Sequence, residues 1–178
     1  MHIYAFGSIC RGEISHGSDV DLLAIIAGYD DRLDPQLYSI YSYRRVNELW
    51  EEGNPFAWHL SLESRLLFAF DQIDYLKALG EPAPYKHHVR DCEKFLALFK
   101  ESFQSIASKT RSTVFDLSTV FLSIRNFATC FSLGTTRKPS FSRHAALELG
   151  SHSIPIPANS YRIFERARIL CTRGTGPP

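Results

Sequence analysis

Phe6-Gly7-Ser8-Ile9-Cys10-Arg11-Gly12 is followed a short way on by Ser18-Asp19-Val20-Asp21-Leu22, and these two segments carry a strand–turn–strand signal. Leading into them, Ile3 to Phe6 is apolar and aromatic and runs into Gly7-Ser8, the pattern of a buried strand entering a tight turn. Ile9 to Ile14 is expected as a short helix and His16-Gly17-Ser18 as a loop. Asp19 to Ile26 reads as a second strand, apolar but for its two carboxylates and closed by Gly28. On that strand Asp19 and Asp21 share a face, and Val20 is expected to point into the core.

Two carboxylates held so close repel each other unless a cation lies between them. A hard divalent ion with oxygen ligands, Mg2+ above all, suits the pair, and it completes its shell from water and substrate phosphate. Gly7 lets the backbone bend sharply and approach a ligand closely. A helix starting there offers free N–H groups to an anion, and the Ser8 hydroxyl adds a donor. A phosphate cradle beside a metal-binding pair makes a site for a metal-bound nucleoside triphosphate.

Outward from this stretch, Asp34-Pro35 has the form of a helix N-cap and first turn. Leu37, Ile40, Tyr41, Val46, Leu49 and Trp50 give the following segment a helical stripe that Gly53 closes. A third strand is predicted over Phe56 to Leu62, with Trp58, Leu60 and Leu62 on one face and His59, Ser61 and Glu63 on the other. After Arg65 to Phe70, Asp71 to Leu79 reads as a short helix capped by Asp71 and stopped by Gly80. Glu81-Pro82-Ala83-Pro84 is the expected boundary between a domain over 1–83 and another over 84–178.

Beyond that boundary the texture turns helical. Lys86 to Ser108 and Ser112 to Leu133 are free of proline. Phe95, Leu98, Phe99 and Phe103 mark one stripe; Phe115, Leu117, Leu122 and Phe131 mark another, ended by Gly134. A further helix is expected from Ser142 and a last one over Ser160 to Leu170, before a loose tail from Arg173. The fold class is therefore α+β: a small mixed-sheet lobe followed by a C-terminal helical bundle.

Composition narrows the function classes. At 178 residues with a formal charge of +1, the chain has no basic surplus, so no strong nucleic-acid signal is present. Its four cysteines are scattered without a CxxC pair, which suggests neither a zinc site nor a disulfide framework. Met1-His2-Ile3-Tyr4 does not open a signal peptide, and no apolar run spans a bilayer, so no membrane and a cytoplasmic location are expected.

With these residues in view, the pattern resembles the nucleotidyltransferase superfamily that includes DNA polymerase β and kanamycin nucleotidyltransferase. The signature is an apolar residue, Gly-Ser, about ten residues, then Asp-x-Asp with apolar neighbours; here Phe6 precedes Gly7-Ser8, and positions 9 to 18 separate Ser8 from Asp19. Arg11-Gly12 and Ser18-Asp19-x-Asp21 look closest to the small minimal nucleotidyltransferases and the antibiotic-modifying enzymes, in which a helical bundle also follows the catalytic lobe. The resemblance implies transfer of a nucleoside monophosphate from ATP or another NTP to an acceptor hydroxyl on a small molecule or a protein, releasing pyrophosphate. It assigns Asp19 and Asp21 to the metal and Gly7, Ser8, Arg11 and Ser18 to the nucleotide. Members generally carry a third carboxylate on a later strand; Glu63 is the candidate here, with His59 on the same face as an alternative base.

A chain lacking that third group binds nucleotide and turns it over slowly or not at all. The alternative function is thus an antitoxin-like or catalytically degenerate nucleotide-binding protein acting through a protein partner. Family members commonly carry a helix before the first strand; an apolar surface without it makes a homo-oligomer an expectation. Arg125 needs a partner, an acid or phosphate across the lobes or a structural ion pair. Lys138 and Arg143 form a small basic loop that faces an acceptor or is merely solvated. His87-His88 are adjacent on a helix and point apart, which argues against a metal there. Arg137 and His144 resemble loosely the pair of HEPN ribonucleases, but Pro139 breaks the helix that pair occupies.

Overall fold

Strand β1, His2–Phe6, lies at the heart of the first lobe, with β2, Asp21–Ile26, antiparallel on one side and β4, Ser64–Ala69, antiparallel on the other. The edge strand β3, Tyr38–Ser42, runs parallel to β2, so the mixed sheet has the order β3-β2-β1-β4. The structure, a computed structural model, describes residues 1–13, 20–109, 112–136 and 139–174. The chain divides into two units, Met1–Lys86 and His87–Pro178, each with its own core. Among the described residues no helix is long and apolar enough to cross a membrane.

Strand alternation builds the first core. Tyr4 and Phe6 of β1 face the same way as Leu23 and Ile25 of β2, and all are buried against helix α1, Tyr43–Glu51, and helix α2, Pro55–Glu63. Val46, Leu49 and Trp50 of α1, Ala57 and Leu60 of α2, and Leu76 of the short helix α3, Tyr75–Ala78, complete it. His2 is buried among these elements: Nδ1 lies 2.7 Å from the Tyr43 hydroxyl and Nε2 3.0 Å from Asp71 Oδ1.

Several sequence expectations are corrected here. The turn after Gly7 is a 3₁₀ helix over Gly7–Arg11, not a helix from Ile9. Val20 is 50% exposed and precedes β2, so it does not enter the core. Asp34 caps no helix. Its carboxylate accepts the Gln36 N–H at 2.8 Å in a tight turn, and the aromatic run Tyr38-Ser39-Ile40-Tyr41 becomes β3, the partner that β2 lacks on that side. The helix begins only at Ser42, whose hydroxyl accepts the Arg45 N–H at 3.1 Å, and Gly53 closes it at φ 64°.

The predicted third strand is helix α2. Asn54 accepts the Phe56 N–H at 2.9 Å and Pro55 occupies the first turn, a start signal that outweighs the apparent alternation of Trp58, Leu60 and Leu62. The third antiparallel partner is instead β4, and the cap of α3 is Asp74 rather than Asp71.

The second unit is built on helix α5, Thr113–Thr135, packed against α4, His88–Ser108, and α6, Ala158–Arg173. Val120, Phe121, Ile124 and Ala128 of α5 meet Ala145, Ala146 and Tyr161. Phe103 and Phe115, expected on inner stripes, are 61% and 50% exposed. Gly134 stands one residue before the end of α5 at Thr135, close to the stop expected there, and a Cβ on it would collide with the His88 side chain. The helix expected from Ser142 is replaced by short 3₁₀ turns at Ala145–Leu147 and Gly150–His152.

Candidate functional site

The C-terminal end of β1 gathers the residues of interest. Gly7 takes φ 76°, which only glycine adopts at little cost, and the 3₁₀ turn that follows is closed by Gly12 at φ 75°. This turn folds Arg11 back toward the end of α2. In the β1–β2 ladder Phe6 faces Asp21, which places the Asp21 side chain at the mouth of the sheet on the α2 side. A Cβ built on Gly7 would come within 2.8 Å of Asp21 Oδ2 and 3.9 Å of His59 Cε1. The bare glycine therefore makes the room in which an exposed carboxylate rests against a backbone turn.

The other wall is the last turn of α2. His59 and Glu63 stand four residues apart on one helical face, and His59 Nε2 lies 3.0 Å from Glu63 Oε2. Ser61, expected beside them on a strand, is separated from them by the helical twist. The His59 ring packs edge-on against Phe6 and Phe56, with centroids 5.7 and 6.5 Å away. Arg11 bridges the two walls: Nη1 donates to Glu63 Oε2, and Nη2 donates to Glu13 Oε2 at 2.9 Å. Burial works against the charged guanidinium, but Glu13 and Glu63 outweigh it and hold the Arg11 pKa above its ordinary value. Its Nε is buried with no hydrogen-bond partner among the described residues.

Of the residues read from the sequence, the structure brings together Gly7, Arg11, Asp21, His59 and Glu63, and puts half-buried Ser8 in the turn itself. Ser18 and Asp19 lie outside the described residues, as do Arg137, Lys138 and the tail beyond Gly174. Arg125 Nη2 donates to the Phe141 carbonyl at 3.0 Å, within the helical unit. Arg143 pairs with Glu165 at 3.1 Å. Sequence reading missed Glu13 as a partner of Arg11, a contact for which the sequence carries no periodic signal.

The donor set fits an anionic ligand and one hard cation in part. Asp21 supplies a carboxylate oxygen over the glycine cradle, and the orphaned Arg11 Nε is a donor suited to a phosphate oxygen. Glu63 does not fit the role of third metal ligand, because two basic side chains already crowd its Oε2. Among the described residues no group of three His, Cys, Asp or Glu gathers to hold a metal ion, and Asp21 is the only carboxylate on the four strands. No family model, curated protein or solved structure matches the chain.

Proposed function

We propose that the chain is a nucleotidyltransferase, moving a nucleoside monophosphate from ATP or another NTP to an acceptor hydroxyl. The observation that carries the reading is the Asp21 carboxylate seated on the Gly7 turn, with the Arg11 guanidinium at the far end of that turn. In this reading Asp19 and Asp21 hold Mg2+, which supplies charge neutralisation at the triphosphate. Gly7 and Ser8 hold phosphate oxygens through backbone N–H groups and a hydroxyl. Arg11 is a fixed cation that orients the nucleotide. The acceptor oxygen bonds to the α-phosphorus as the bond to the bridging oxygen breaks, pyrophosphate leaves, and the acceptor proton passes to water or to His59.

A second reading is favoured by the ion pairs of Glu63 and by Asp21 being the sole strand carboxylate among the described residues. It keeps nucleotide binding and loses turnover, the protein acting through a protein partner. Incubation with labelled ATP, Mg2+ and a cell extract separates the two. Transfer of label to any species, abolished by Asp21→Asn and Asp19→Asn, supports the first. Calorimetric binding of Mg-ATP without label transfer or pyrophosphate release supports the second. Absence of heat with every Mg-nucleotide rejects both.

A further inference from the structure

Helix α4 carries more apolar surface than its packing against α5 uses. Its inner face is formed by Cys92, Ser102 and Ser105, with Phe95, Leu98 and Phe99 half-buried beside them. Three more large apolar side chains, Val89, Leu96 and Phe103, are 59%, 42% and 61% exposed. They recur at every seventh residue, so they form a single seam that drifts by only about 20° per step around the helix. Phe99 stacks on Phe103 with centroids 6.0 Å apart and extends the seam toward the buried face. On its opposite flank stand Glu93 and Lys100, also seven residues apart, both exposed and neither with an ion-pair partner among the described residues.

We infer that α4 pairs antiparallel with α4 of a second copy of this chain. A two-fold axis near Leu96-Ala97 sets Leu96 against Leu96, Val89 against Phe103, and Glu93 against Lys100, the last two contacts made twice. A parallel, in-register pair would carry the two Glu93, and the two Lys100, to opposite sides of the seam and leave the Glu93–Lys100 contact unmade, so charge selects the antiparallel sense. The same complementarity selects a second copy as occupant: the seam and its flanking charges answer each other about one axis. The contact runs for about 21 Å along the helix, short enough to place the pair at the weak, reversible end of association. The inference is independent of the nucleotide chemistry and stands on the second unit alone.

Sedimentation equilibrium of the full chain at low salt, with circular dichroism as a check of folding, tests it. The wild type is expected as a reversible monomer–dimer system, and Leu96→Asp as a monomer. Glu93→Lys alone and Lys100→Glu alone each raise the dimer dissociation constant about tenfold. The double variant Glu93→Lys with Lys100→Glu restores it, because the swapped charges again oppose. A zero-length carbodiimide link between Glu93 and Lys100 is expected in the dimer; within one helix they lie about 10 Å apart, so that link joins two copies. A monomeric wild type assigns the seam to another partner and overturns the pairing. A dimer indifferent to Leu96→Asp, or a charge swap that fails to recover, overturns it equally.

Discussion

One methyl group at position 7 tests the site at the residue scale. Gly7 sits at φ 76°, where an alanine costs about 1 kcal/mol of backbone strain. Its Cβ would also stand 2.8 Å from Asp21 Oδ2, so the carboxylate has to leave the cradle. Gly7→Ala is expected to lower the Tm of the first unit by roughly 4–8 °C and to weaken Mg-ATP binding about tenfold or more, read by tryptophan-fluorescence melts and calorimetry. Glu63→Gln discriminates a second point. If Glu63 holds Arg11 for phosphate, the variant raises the nucleotide KM severalfold and leaves kcat and the Mg2+ requirement near those of the wild type. If Glu63 is a metal ligand instead, kcat falls and the Mg2+ requirement rises. That Gly7, Arg11 and Asp21 come together at one end of the sheet was legible in their spacing along the sequence. The role of Glu63 was not, since it depends on which partner a long arginine finds across the turn.

At the scale of elements the two clearest misreadings share a cause. Residues 55–63 and 38–42 are rich in aromatic and apolar side chains, and period alone does not separate a buried strand from a buried helix. Asn54-Pro55 held the answer for α2, a cap followed by proline in the first turn, and it outranks alternation because it fixes backbone geometry. For β3 the decisive fact is tertiary: β2 needs a partner on its open side, and no local signal states that. Gly134, in the last turn of α5 where its glycine predicts a stop, also serves close approach to His88. An alanine in mid-helix ordinarily gains about 1 kcal/mol over glycine. Here its Cβ meets the His88 ring, an overpacking cost of roughly 1–3 kcal/mol. Gly134→Ala should therefore destabilise the wild type in urea unfolding. In a His88→Gly background, which removes both the ring and the Cβ that stands 2.3 Å away, the same change should cost much less, and a loss of equal size in both backgrounds would refute the contact.

The whole molecule is two units, each with a main core of its own, and Glu81-Pro82-Ala83-Pro84 stands just ahead of the division at Lys86. Each core contains a tyrosine that is 1% exposed, Tyr4 in the first and Tyr161 in the second. The Tyr4 hydroxyl donates to Asp74 Oδ1 and accepts the Leu76 N–H, both at 3.0 Å, and the Tyr161 hydroxyl donates to the Arg143 carbonyl at 2.7 Å. Burial, then the charge of Glu165, pushes the Tyr161 pKa up to about 12; burial raises that of Tyr4 further, with Asp74 adding and the Leu76 N–H opposing. Unfolded tyrosine ionises near pH 10, so above that pH the unfolded chain loses protons that the folded chain keeps. The sign follows: stability from these groups is intact below about pH 10 and falls as pH rises from there toward the folded values, with a slope approaching 1.4 kcal/mol per pH unit for each tyrosine. Tyr161→Phe should cost about 1 kcal/mol at pH 8 through its lost hydrogen bond and flatten the alkaline decline of the second unit. Tyr4→Phe should cost more at pH 8, because it also strips the Leu76 N–H of its acceptor. Both tryptophans, Trp50 and Trp58, belong to the first unit, so their fluorescence follows that unit while circular dichroism follows the helices of both. Tyr4→Phe is expected to change the alkaline fluorescence transition, and Tyr161→Phe only the dichroism. If Tyr161→Phe moved the tryptophan fluorescence together with the dichroism, the two cores would unfold as one cooperative body.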